Sequence, residues 1–299
     1  MSTPPVPWTK LAWVTWRQHR AALTGAAALL GGLSLYLLIF GLKISNAYAG
    51  VTGCHPAGST ACQQLASAFR QTYWGGGADI IQSGGAQTIS GLLQAVPVLL
   101  GVFVGAPVLA RELDTGTFRF AWTQGCGRVR WTIAKLVLLA AALAAAAAAF
   151  SMLFSWYYHP FLAQGLTTEF LPVIFNLRGV DFAAWTLIAF TISAFAGAVI
   201  RRTVPAMAAA LATWIVLDMA TVIFLRPHYE TPLSTKGAGP GPTAWVVSQL
   251  ITGRGGSGVF AYQPQSRFWT FQFIEGGWLL ALAVLLGAAT IWLVRRRAA

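Results

Sequence analysis

The chain has 299 residues, of which 56% are hydrophobic and 9% charged, with thirteen tryptophans and eighteen phenylalanines. One soluble core cannot take up that much apolar surface, so the composition excludes a soluble globular or disordered protein and indicates a polytopic membrane protein. The net charge of +12 would suit a polyanion if it formed one patch, but the cations sit at the ends of apolar stretches and favour one side, which reports topology and anionic headgroups and speaks against nucleic acid.

Residues 1–20 come first. Trp8, Leu11, Ala12, Thr15, Trp16 and His19 recur at helical spacing, with Lys10, Arg17 and Arg20 around them and Pro7 at a favourable helix start. The pattern reads as a short helix lying in the inner interface, or as an aromatic belt flanking the first span. A bilayer core of about 30 Å takes roughly 20 helical residues to cross. Six apolar windows approach that length, at about 21–42, 89–110, 136–158, 182–200, 204–225 and 276–294. Strict alternation is absent, so the windows predict helices and not a barrel. The first lies too deep and lacks a convincing small-x-small site, so it is expected to stay as a span.

Residues 43–88 form the first external loop. Cys54 and Cys62, with His55 and Pro56 between them, read as a disulfide in an oxidising exterior, as thiols of a metal site with His55, or as free thiols. A short helix is expected around Gln63–Tyr73, followed by glycine punctuation at Gly75–Gly77 and Gly84–Gly85. The second span holds Pro97 and Pro107, so a bend is expected, and Gly101 and Gly105 at a spacing that admits a close helix neighbour.

A charged turn follows, Arg111-Glu112-Leu113-Asp114-Thr115-Gly116-Thr117, and then Arg128, Arg130 and Lys135 before the chain turns apolar again. With both termini inside, the inner segments also hold Lys10, Arg17, Arg20, Arg119, Arg201, Arg202 and Arg295–Arg297. Lys43, Arg70, Arg178, Arg226, Lys236, Arg254 and Arg267 are spread thinly outside. That is the positive-inside bias, and it makes residues 111–133 a cytoplasmic handle.

In the third span the alanine tract Ala140–Ala149, broken by Leu143, predicts an interior helix. The fourth and fifth spans are joined by Arg201, Arg202 and Thr203, too tight for a second handle. Asp218 lies inside the fifth span and reads either as a substrate or gating contact or as a carboxyl satisfied by a hydroxyl or a cation from a neighbouring helix. Residues 226–275 form the second external loop, with two apolar pieces too short to cross, Ala244–Ile251 and Phe268–Phe273, expected to be re-entrant or interfacial and to cap an exit path. No repeat is visible, so residues 1–299 read as one all-α transmembrane domain.

Enzymatic patterns are missing. There is no His-Glu-x-x-His, no Gly-x-Ser-x-Gly and no Gly-x-x-x-x-Gly-Lys-Ser/Thr, and His19, His55, His159 and His228 scatter to span ends. No catalytic residue, metal site or cofactor is therefore expected in this chain.

Glu112, Asp114, Gly116 and Thr117 resemble the Glu-x-x-x-Gly-Thr pattern at the end of the second span in permease subunits of type-2 ABC transporters. The following Ala121-Trp122-Thr123-Gln124-Gly125 and Arg128-Val129-Arg130-Trp131 with Lys135 are similar to what comes next in that family. The first external loop is longer than that plan requires. The resemblance implies six spans, an interfacial N-terminal helix, a coupling helix within 111–133 and an external re-entrant segment between spans five and six. It also implies a separate ATPase subunit that holds ATP and magnesium and receives the coupling helix, and a second copy of the permease. Glu112 and Asp114 would open the coupling helix and Arg128 and Arg130 would end it, each suited to its dipole end. The expected function is export of an apolar or amphipathic substrate across a bacterial plasma membrane, the host inferred from an arginine- and alanine-rich composition. The rival readings are a sensor or immunity subunit for extracellular peptides, and an ion-coupled transporter using Asp218.

Overall fold

A computed structural model describes residues 8–56, 58–75, 85–115, 127–237, 239–251 and 258–297. Its helices follow from the apolar windows, but most run past them. Helix α1 spans Trp8–Thr52 without a break, because no glycine or proline interrupts residues 9–24 and each added residue supplies a hydrogen bond. The separate interfacial helix expected at 1–20 is therefore absent from the described residues 8–20. Trp13 and Trp16 are 59% and 55% exposed, whereas Leu11 is buried.

Helix α2, Thr60–Trp74, starts at Ser59, whose hydroxyl accepts the Cys62 amide at 3.2 Å. Cys54 and Cys62 form a disulfide across the end of α1 and the start of α2, with Cα atoms 5.7 Å apart, which settles the three readings of that pair. The second span is split into α3, Ala86–Leu93, and α4, Val96–Thr115. The break falls just before Pro97, whose missing N–H and ring oppose an unbroken helix there. Pro107 is taken up inside α4.

Helix α5 covers Arg128–Ala163, α6 Pro172–Phe175 and α7 Asp181–Ile200. Arg201 closes α7 in a left-handed conformation, φ 60°, and helix α8, Thr203–Ala220, follows at once. The fifth span continues through a wide π-helical turn, Thr221–Leu225, and a tight 3-10 turn, Arg226–His228. The last helix, α9, runs Phe268–Arg297. Among the described residues, six of these stretches are long and apolar enough to cross a membrane.

Two spans are central. In the apolar windows of Ala86–Glu112 and Asp181–Ile200, 67% and 61% of residues are buried, against 17% in those of α1 and of Thr203–His228. Glycine makes that centre possible: a methyl added at Gly105 would lie 2.5 Å from the Phe190 carbonyl oxygen, and one at Gly101 2.6 Å from the Phe190 amide nitrogen. The pair thus serves contact within one chain. The alanine tract, by contrast, is not interior. Leu143, Ala147 and Phe150 face the core while Ala141, Ala142, Ala145 and Ala149 are exposed, since a helix on the rim buries one stripe only.

The fold is predominantly helical, as expected of an all-α membrane protein, with one small β element added. Between spans five and six lies an antiparallel three-stranded sheet, β1 Leu233–Gly237, β2 Trp245–Ile251 and β3 Gly258–Gln263, in the order β1-β3-β2. The first piece expected to be re-entrant is thus strand β2, favoured by the β-branched Val246, Val247 and Ile251. The second, Phe268–Phe273, is the opening of α9. The loop also ends short of the boundaries expected for it, because Arg226 and Glu275 belong to helical segments.

Candidate functional site

At the end of the bundle where Arg17, Arg20, Arg111, Arg130 and Lys135 gather, the handle residues fall on two helices. Glu112 and Asp114 lie in the last turns of α4, and Arg128 and Arg130 open α5. Gly116 and Thr117 lie outside the described residues. The expected polarity is reversed: the acids sit at a helix C-terminus and the arginines at an N-terminus, each facing the unfavourable dipole end. The reason is that α4 keeps its hydrogen bonding for five residues past Ala110, to Thr115, so the acids end a membrane helix instead of starting a new one.

An ion pair offsets that polarity. Lys135 Nζ donates to Glu112 Oε1, with the lysine side chain 1% exposed and the glutamate 17%. The ammonium lies 4.6 Å from the centre of the Trp131 ring. Trp131 and Ala134 pack with Leu11 of α1. One pair therefore joins the ends of α4 and α5, with α1 held against them. Asp114 is exposed and Arg130 half-buried on this end.

At the opposite end the structure builds a polar cluster that sequence reasoning saw only as Asp218. Arg226 lies 1% exposed beside Glu275 at 0%. Its Nε donates to Glu275 Oε2 at 2.9 Å and its Nη2 to Oε1 at 2.6 Å, a two-pronged pair. Arg226 Nη2 also donates to Asn176 Oδ1 at 2.5 Å, and the guanidinium stacks 4.2 Å over Phe175. Asn176 Nδ2 donates to Asp218 Oδ1 at 3.0 Å and to Gln94 Oε1 at 3.3 Å. The indole of Trp185 donates to Glu275 at 3.2 Å. Asp218 thus takes its hydrogen bond from an amide that a buried cation also holds, not from the hydroxyl or cation expected of a neighbouring helix.

Each element contributes for a local reason. The π-helical turn carries Arg226 round toward α9, and such turns recur where a side chain must be re-aimed. Gln272 of α9 accepts the amides of Val180 and Asp181 at 3.0 and 3.1 Å and donates to the Phe175 carbonyl, fixing the entry to α7. Trp278 donates to the Tyr229 hydroxyl at 3.0 Å. Burial, and next the Glu275 carboxylate, push the Tyr229 phenol up, so it stays a neutral hydroxyl. The missed signal is that no proline or glycine separates Arg226 from the apolar run before it, so its charge belongs to the helix end.

Against known families, a model described as ABC-2 membrane transporter related matches residues 27–226, more than half of the chain, from within α1 to the buried Arg226. No curated protein and no solved structure matches.

Proposed function

The chain belongs to the ABC-2 membrane transporter related family, multi-pass membrane components that associate with an ABC ATPase subunit, and from that premise we propose that it is the permease of an ATP-driven exporter. The sequence holds no phosphate-binding Gly-x-x-x-x-Gly-Lys-Ser/Thr loop, which supports hydrolysis in a partner. The ATPase docks on residues 111–133, at a cytoplasmic end that also carries both termini. Two copies of the chain form the path in a bacterial plasma membrane. The cargo is apolar or amphipathic, a reading supported by the many large apolar side chains exposed along the spans.

The observation that carries this reading is the Glu112–Lys135 pair. It makes the ends of spans two and three one body, so a push on the residues between them reaches both helices together. Purification of the chain from its host is expected to bring an ABC ATPase with it. In that complex Glu112→Gln, which keeps an acceptor for the buried Lys135 ammonium, or Gly116→Val should leave assembly intact and lower transport per ATP by about 5- to 150-fold, the usual range of coupling energies. Normal coupling in both variants would remove the handle from the mechanism.

A second reading, ion-coupled transport, draws on Asp218, Asp181 and Glu275 gathered near Arg226. It would show itself as transport abolished by an uncoupler while ATP stays intact.

A further inference from the structure

The basic end of the bundle contains a polar cavity of about 450 Å³ between α1 and α4. Gln18, His19, Ala21 and Ala22 line it from α1, and Arg111 and Glu112 from α4. That volume lies within the range of small-ligand sites, about 300–1,000 Å³. Neither the ion pair beside it nor the packing of α1 uses this space.

His19 points to an occupant. The residue is 8% exposed, and its Nε2 is buried without a hydrogen-bond partner among the described residues. Lys135 and Arg111 both act on the ring; Lys135 is neutralised by Glu112, which leaves Arg111 as the net positive charge on the cavity wall. A missing partner beside one net cation calls for an anion that accepts from the imidazole.

Depth selects the anion. Trp13 and Trp16, one to two turns away along α1, are exposed, and the Arg17 guanidinium lies 5.4 Å from the Trp13 ring. Exposed tryptophans beside arginines mark the headgroup level of a bilayer. Phosphate groups are the abundant anions at that depth, and basic pockets between membrane helices hold them. Ala21 and Ala22 keep the wall low, leaving room for a glycerol backbone.

We propose that this cavity holds the phosphate of an anionic phospholipid, which accepts from His19 Nε2 and Arg111 and braces α1 against α4 beside the Glu112–Lys135 pair. The occupant would act as a tuning element: lipid composition would set how firmly the two helices carrying the handle are joined. Binding itself does not depend on the export reading.

The test uses the purified full chain in nanodiscs of phosphatidylcholine alone or with phosphatidylglycerol. Melting temperature and native mass spectrometry are the readouts. Phosphatidylglycerol is expected to raise the melting temperature by about 3 °C or more and to remain bound to the released chain. His19→Leu and Arg111→Gln should each abolish both effects. Arg20→Gln, which removes an equal charge at an exposed position outside the cavity, should keep them. If either cavity variant is unstable in phosphatidylcholine alone, Ala21→Phe, which fills the space without removing a charge, takes its place and should also abolish them. Equal retention of both lipids, or an Arg20→Gln loss as large as that of the cavity variants, would overturn the proposal. So would a matching shift from excess inorganic phosphate, which would assign the cavity to a free anion.

Discussion

Arg226→Met is expected to destabilise the chain by about 3–5 kcal/mol, the penalty for stranding a buried charge by removing its partner. Glu275 is 0% exposed and takes two hydrogen bonds from the guanidinium. Without them its charge would be left with two neutral donors, the Trp185 indole and the Tyr229 hydroxyl. Asn176 would lose its donor as well, which loosens its hold on Asp218. Glu275→Leu alone should be comparably damaging, because it strands Arg226. The double variant Arg226→Met with Glu275→Leu should recover most of the loss, since a buried ion pair is often no better than apolar side chains of similar volume. Thermal melts of the four proteins in one detergent decide it. Single variants as stable as the parent would mean that the cluster does not hold this end together.

Gly105→Leu is expected to be more damaging still, to the point that the protein does not accumulate in the membrane. The first added carbon would lie 2.5 Å from the Phe190 carbonyl oxygen and 2.9 Å from the Ser193 Cβ, and at Gly101 the nearest atoms include the Ala189 carbonyl carbon at 2.6 Å. These are mostly backbone atoms of the central helix, which cannot rotate away as a flexible side chain would. Overpacking costs about 1–3 kcal/mol where side chains can shift, and occasionally more; here backbone cannot shift, so the cost is expected to exceed that range and to part the two most buried spans. Gly32→Leu on α1 meets nothing within 4 Å and should express normally. Equal expression of the two variants would contradict the close α4–α7 contact.

How much was legible follows from what a hydropathy window detects. It finds the apolar core of each span, so the stretch at 182–200 agrees closely with α7, Asp181–Ile200. It does not find where hydrogen bonding stops. Helix α1 therefore begins well before Ala21 and ends well after Leu42, and α4 carries Glu112 and Asp114 at its far end. The same error inverted the dipole assignment of the handle. The sheet was hidden because its strands are short, largely exposed and separated by glycine- and proline-rich turns. The polar cluster was hidden for another reason: Arg226 and Glu275 are 49 positions apart, and each looks like a loop charge until the helices bring them together. Cys54 and Cys62 needed no such assembly, because the ends of two adjacent helices hold them within reach.

Coupling to an ATPase requires the handle to face the cell interior, and its sidedness can be measured directly. Asp114 is exposed, so Asp114→Cys in a Cys126→Ser background offers one accessible thiol beside the Cys54–Cys62 disulfide. A membrane-impermeant maleimide is expected to label it in inverted vesicles and to leave it untouched in intact cells. Labelling of intact cells, with protection in inverted vesicles, would place the handle outside and contradict the permease mechanism.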